Sequence, residues 1–79
     1  MPTVVRTKGY HVVVYTDDHP PPHVHVRKDG ADVKVLLLED GVKLHSVKGK
    51  LSAVKIREAG AICSDHLGAC WKVWRRYYG

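Results

Sequence analysis

The sequence lacks a hydrophobic run long enough to cross a bilayer. Its longest apolar runs are Val12 to Val14 and Val35 to Leu38, whereas a membrane-spanning helix needs about 20 predominantly apolar residues. The first residues also lack the basic start, apolar centre and small-residue cleavage site of a secretory signal peptide. We therefore expect a cytoplasmic protein that does not engage a membrane.

Cysteine is scarce as well. The two cysteines of the chain, Cys63 and Cys70, lie seven residues apart in a segment with helical spacing. Seven residues of helix rise about 10 Å, which exceeds the Cα separation that a disulfide tolerates. Both are therefore expected to be reduced residues of the core.

Recognisable enzyme motifs are also absent. The sequence has no glycine-rich phosphate loop and no serine- or cysteine-based nucleophile motif, and we expect no cofactor. A chain of 79 residues allows one domain, over 1–79. Because a domain of this size buries a limited share of its surface, a homo-oligomer would add useful burial.

Basic residues, in contrast, are in excess. Thirteen lysines and arginines against eight aspartates and glutamates give a formal net charge of +5. This balance favours a polyanionic partner, which can be RNA, DNA or an acidic protein.

The distribution of apolar residues predicts an α+β fold. The first half alternates and is rich in β-branched residues, and the second half has helical spacing. We expect a three- to four-stranded antiparallel meander followed by two C-terminal helices packed on one face. The predicted strands are Tyr10 to Thr16, His23 to Lys28, Ala31 to Leu38 and Val42 to Ser46, with Val4 to Thr7 as a frayed or bulged lead-in.

Two Asp-Gly pairs predict hairpin turns and a register. If Asp29 and Gly30 are the two turn residues, Lys28 faces Ala31, and outward counting sets valine against valine on one face of the sheet. The same counting from the pair Asp40-Gly41 sets Leu37 opposite Leu44, and Leu36 opposite His45.

The helical half has a clear start and an expected break. Ser52 is a good N-cap, and Leu51 with Ile56 can form a hydrophobic staple. One straight helix over 53–78 would be about 39 Å long, against a radius of gyration of about 12 Å for a compact chain of this length. Ser64 and Asp65 offer a second cap, so the predicted helices are 53–63 and 65–78.

The chemically distinctive segment is His19-Pro20-Pro21-Pro22-His23-Val24-His25. Alternation along a strand puts His23, His25 and Arg27 on one face, and the predicted register adds Lys34 and His45. We take His23 and His25 as candidate catalytic residues. Arg27, Lys34 and His45 are candidates for binding nucleic acid or a partner protein.

Three interpretations of this segment compete. In the first, the prolines stiffen a structural loop that includes His19, and the histidines hold it to the body or form a docking surface. In the second, the basic face binds nucleic acid, or the histidines cleave RNA without a metal ion.

The third interpretation is metal binding by the His-x-His pair, with His19, Asp17 or Asp18 as a further ligand. A polyproline connection rises about 3.1 Å per residue and would hold the His19 and His23 backbones about 12 Å apart. Only a bend or a cis proline would relieve this separation. No metal is therefore assigned.

Four segments carry a resemblance to a known family, and they are Met1 to Val4, Asp18 to Val26, Leu51-Ser52 and Trp71 to Gly79. On these residues the chain resembles a bacterial family, the domain of unknown function 4160, and it departs from the family pattern at Gly60 and Gly68. It implies a small cytosolic α+β protein from toxin–antitoxin-type gene pairs, with a cognate partner protein and no settled activity. The predicted function is a toxin–antitoxin-associated interaction or nucleic-acid-binding module, with a metal-independent endoribonuclease and a histidine-based metal-binding protein as alternatives.

Overall fold

The computed structural model describes residues 2–79. Five strands form one antiparallel sheet in chain order, and two helices follow. The predicted α+β meander with two C-terminal helices is confirmed, and the expected lead-in is a fifth strand with a bulge between Thr3 and Val5. The strands are β1 (Thr3–Thr7), β2 (Tyr10–Val13), β3 (His23–Lys28), β4 (Ala31–Leu37) and β5 (Val42–Lys48), and the helices are α1 (Ala53–Asp65) and α2 (Leu67–Tyr78).

The β3–β4 hairpin has the predicted register. Lys28 pairs with Ala31, and the pairing continues without a shift to His23 and Leu36. Asp29 and Gly30 have φ angles of 50° and 79°, as a two-residue turn of the primed type requires. The turn therefore fixes which side chains of β3 and β4 face the core.

The predicted β4–β5 register is wrong. Leu37 pairs with Val42, and Leu36 with Lys43, because residues 38–41 form a longer loop closed by a 2.9 Å hydrogen bond from the Leu38 N–H to the Gly41 carbonyl. A register shift then leaves His45 without a direct partner, since Val35 pairs with Leu44 while Lys34 pairs with Ser46. Beyond this bulge Asp32 pairs with Lys48.

One face of the sheet packs against the helices and forms the core. Gly60 on α1 allows a close approach to this layer, since an added Cβ would lie 3.4 Å from Leu44 Cδ2. Within residues 2–79, no helix is long and apolar enough to span a membrane. The core joins sheet residues Tyr10, Val12, Val14, Val24, Val26, Val33, Val35 and Leu37 to helix residues Ala59, Ile62, Cys63, Cys70 and Trp74.

The helix boundaries differ slightly from those predicted. Ser52 caps α1 as expected, with its hydroxyl accepting a 3.2 Å hydrogen bond from the Lys55 N–H. The break falls at His66 rather than at Ser64 or Asp65, because the His66 backbone leaves the helical region, with φ −116° and ψ 30°. Its ring Nδ1 donates to the Ile62 carbonyl at 2.9 Å.

Both cysteines are free and buried, as predicted. The neighbouring Cys70 thiol, together with burial, raises the pKa of Cys63 above its usual value. The pair therefore behaves as part of the core.

Gly49, which follows β5, has a position that other residues cannot adopt without strain. Its φ is 90°, and an added Cβ would lie 3.1 Å from Ala31 Cα. We expect Gly49→Ala to lower the free energy of unfolding by about 1 to 3 kcal/mol, measured by urea denaturation. Gly41→Ala is the matched control, because an added Cβ there meets no atom within 4 Å. Equal effects of the two substitutions would contradict this explanation.

Candidate functional site

The centre of the site is the Asp18 carboxylate, which lies between two imidazoles. Asp18 Oδ2 is 2.7 Å from His23 Nε2 and 2.9 Å from His25 Nε2. Alternation along β3 brings the two rings to the same side of the strand, with centroids 5.1 Å apart. Loop 14–22, which joins β2 to β3, supplies the carboxylate.

The other nitrogen of each ring is also bonded. His23 Nδ1 lies 2.8 Å from the Pro21 carbonyl, and His25 Nδ1 lies 2.9 Å from Asp32 Oδ1. A carbonyl or carboxylate oxygen can only accept, so both Nδ1 atoms donate. Asp32 is oriented in turn by the Tyr15 hydroxyl, which donates to its Oδ2 at 2.8 Å.

The end of α2 holds loop 14–22 in place. The Asp18 N–H donates to the Tyr78 hydroxyl at 2.9 Å, and this hydroxyl donates to the Tyr15 carbonyl. Trp74 stacks on Tyr78 with ring centroids 4.0 Å apart, and it also lies 5.4 Å from the His23 ring. The C-terminal aromatic residues thus position a carboxylate that is 60 residues away in sequence.

Burial and hydrogen bonding set the electrostatics of the cluster. His23 is only 1% exposed, and the side chains of His25 and Asp18 are 14% and 27% exposed. Burial alone would raise the pKa of Asp18, but the hydrogen bonds from His25 and His23 outweigh it and hold that pKa below its usual value. The ionised form of Asp18 is therefore the one that the fold stabilises.

A cleft of about 300 Å³ opens beside this cluster on the sheet face opposite the helices, which we call the open face. The pairing of β3, β4 and β5 places His25 beside Lys34, and Lys34 beside Ser46. The cleft joins residues of both charge signs, and its lining residues are Tyr15, Asp18, His25, Asp32, Lys34, His45, Ser46 and Lys48.

The candidate residues from the sequence fall in three places. His25, Lys34 and His45 line the cleft together, although the register that predicted the position of His45 was wrong. His23 is buried behind His25, and Arg27 is exposed farther along β3. His19 and the adjacent Pro20 and Pro21 are exposed, Pro22 is half-buried, and the Pro20–Pro21 peptide bond is cis.

Sequence reasoning missed three contributors to the site. Asp32 pairs with Arg27, and its diagonal position relative to His25 on the neighbouring strand was the signal available in the sequence. Lys48 reaches the cleft through the bulge at His45, and Tyr15 reaches it through the fold of loop 14–22; neither leaves a local sequence signal. Asp18 had been named only as one alternative metal ligand.

A second feature of the open face is a row of paired residues that crosses all five strands. Arg6 pairs with His11, and His11 pairs with Arg27. Burial lowers the pKa of His11, and the flanking Arg6 and Arg27 lower it further. We call this the cross-strand row; its members in order are Arg6, His11, Arg27, Asp32 and Lys48.

Comparison with known protein families gives a match over most of the chain. The model of the domain of unknown function (DUF4160) matches residues 9–75. Among curated proteins and among solved structures, no match was found.

The lowered pKa of Asp18 predicts how stability depends on pH. Its contribution is complete above the unfolded carboxyl pKa of 3.8 and is lost as the pH falls through the lower folded value. We expect Asp18→Asn to be less stable by about 1.5 to 3 kcal/mol at pH 7, with a difference that shrinks in acid. Urea denaturation at several pH values, with a chelator present, measures this. The exposed Asp17 gives the control Asp17→Asn; a pH-independent deficit in Asp18→Asn would contradict the prediction.

Proposed function

The chain belongs to the domain of unknown function 4160 family, whose name assigns no activity, and from the site itself we propose that it is a nucleic-acid-binding module. The observation that carries the proposal is the cleft on the open face, where Lys34 and Lys48 stand beside His25 and His45. The ligand that fits this chemistry is a phosphodiester backbone.

The cross-strand row extends this cationic surface beyond the cleft. Neighbouring strands lie about 4.8 Å apart, so five paired residues span about 19 Å. Arg6, Arg27 and Lys48 are exposed along this line, with Asp32 held by His25 and Tyr15. A line of separated cations on a sheet suits an extended chain of phosphates better than a single small anion.

The same surface favours backbone contacts over base recognition. Sheet modules that read single-stranded bases present aromatic rings on which the bases stack. In the cross-strand row the aromatic ring is that of His11, which is half-buried and bonded to the Thr3 hydroxyl at 2.9 Å. We therefore expect binding with little sequence preference and a strong dependence on salt.

The geometry favours binding over RNA cleavage by His23 and His25. A general acid or base must reach the proton that it transfers. His23 is buried, and both nitrogens of each ring are bonded to Pro21, Asp18 or Asp32. RNA cleavage is therefore the less favoured hypothesis, and the binding experiment below also measures it. The cognate toxin–antitoxin partner implied by the family resemblance stays a prediction.

Binding to a short fluorescein-labelled single-stranded RNA tests the proposal by fluorescence anisotropy between about 50 and 200 mM salt. We expect the double variant Lys34→Ala, Lys48→Ala to bind at least about tenfold more weakly at the lowest salt, because two phosphate contacts are lost. The slope of log K against log salt should fall in magnitude by about 1.4.

The matched control is the double variant Lys72→Ala, Arg76→Ala, which removes the same charge from exposed positions of α2. Equal weakening in both double variants would show attraction by net charge alone and would contradict the assignment to the cleft. Duplex DNA in a parallel titration distinguishes the two nucleic acids. Electrophoresis of the incubated RNA would show cleavage, and its loss in His25→Ala would instead support the ribonuclease hypothesis.

A further inference from the structure

We propose that Asp18, His23 and His25 form a binding site for a divalent first-row transition-metal ion such as Zn²⁺. One ligand atom of each residue lies within 4.8 Å of the other two. Two imidazole nitrogens and one carboxylate oxygen are ligands that such ions prefer, whereas Mg²⁺ and Ca²⁺ prefer oxygen alone. Binding of an ion by these three residues does not require nucleic acid.

The hydrogen bonds behind the histidines support this assignment. A histidine that ligates a metal through one nitrogen characteristically donates from the other to a carbonyl or carboxylate oxygen. His23 does so to the Pro21 carbonyl, and His25 does so to Asp32. Both Nε2 atoms are thereby turned toward the same Asp18 oxygen.

The number of N–H hydrogens on the His23 and His25 rings also favours a metal ion. With each Nδ1 donating, the Nε2 atoms can bond to the Asp18 carboxylate only if each ring carries an additional proton. Two positively charged rings would then lie 5.1 Å apart, one of them 1% exposed, and both would share a single carboxylate. A divalent cation among the three ligand atoms replaces both protons and leaves each ring neutral.

The movement needed to admit an ion is small. Zinc lies about 2.0 to 2.1 Å from nitrogen and oxygen ligands in a tetrahedral site, so its ligand atoms are separated by about 3.3 Å. The two nitrogen–oxygen distances are now 2.7 and 2.9 Å. A shift of about half an ångström in these contacts is therefore sufficient.

The site would also keep a coordination position for an exogenous ligand. Three protein ligands leave the fourth tetrahedral position to water or to another donor. Asp18 and His25 belong to the ligand cluster and also line the cleft. An ion bound there would therefore lie at the cleft. The chemical class that suits this position is an anionic oxygen ligand, either hydroxide or phosphate.

Calorimetric titration of the full chain tests the proposal. The protein is prepared without a histidine tag, stripped with a chelator and titrated with ZnCl₂ in the absence of nucleic acid. We expect one ion per chain and a higher melting temperature with Zn²⁺. In two buffers of different ionisation enthalpy, the measured heats should show proton release, because a metal ion binds the deprotonated form of its ligands.

Three variants locate the ion. Asp18→Asn keeps the shape of a ligand residue, and it should weaken Zn²⁺ binding by more than about 100-fold and abolish the thermal shift. Asp32→Asn, which changes only the residue that orients His25, should weaken binding by about 10- to 100-fold. His19→Ala is the control and should bind as the parent does.

Circular dichroism of each metal-free variant establishes that it is folded. Absence of Zn²⁺ binding by the folded parent chain would overturn the proposal, as would unchanged binding by folded Asp18→Asn. Because these experiments contain no RNA, neither result bears on the proposed binding of nucleic acid, which the anisotropy experiment tests separately.

Discussion

The Asp18 carboxylate accepts hydrogen bonds from His23 and His25, and these contacts tie loop 14–22 to the sheet. On its other side the loop is bonded to Tyr78 at the end of α2. The loop, β3 and the last helical turn are therefore held at one point. Since β3 also sends Val24 and Val26 into the core, the same strand both stabilises the fold and carries the site.

Departures from regular pairing shape the open face as much as the pairing itself. The bulge at His45 moves the end of β5 by one residue, so that Lys48 pairs with Asp32. Without this bulge, the residues of β5 after His45 would point to the opposite face of the sheet, because side chains alternate along a strand. One extra residue thus adds Lys48 to the cleft while Val47 still pairs with Val33.

The parts of the fold that the sequence predicted are those set by local geometry. Asp29 and Gly30 form a two-residue turn, so the β3–β4 register and the shared face of His25 and Lys34 followed by counting. The pair Asp40-Gly41 lies in a longer loop, and the bulge has no local marker, so the second register was wrong. Asp18 meets the histidines through the path of loop 14–22, which depends on the hydrogen bond to Tyr78, 60 residues away in sequence, and spacing alone does not determine this contact.

The charge of the cluster connects its two proposed uses. With two protonated rings, the charges of His23 and His25 balance those of Asp18 and Asp32. With a divalent ion and two neutral rings, the charge of the ion balances the same two carboxylates, so the net charge of the cluster is unchanged. In either state the net positive charge of the cleft comes from Lys34 and Lys48. Long-range attraction of a polyanion therefore does not depend on metal occupancy. If the two ligands do influence each other, the coupling must act at short range, through direct coordination of a phosphate oxygen by the ion.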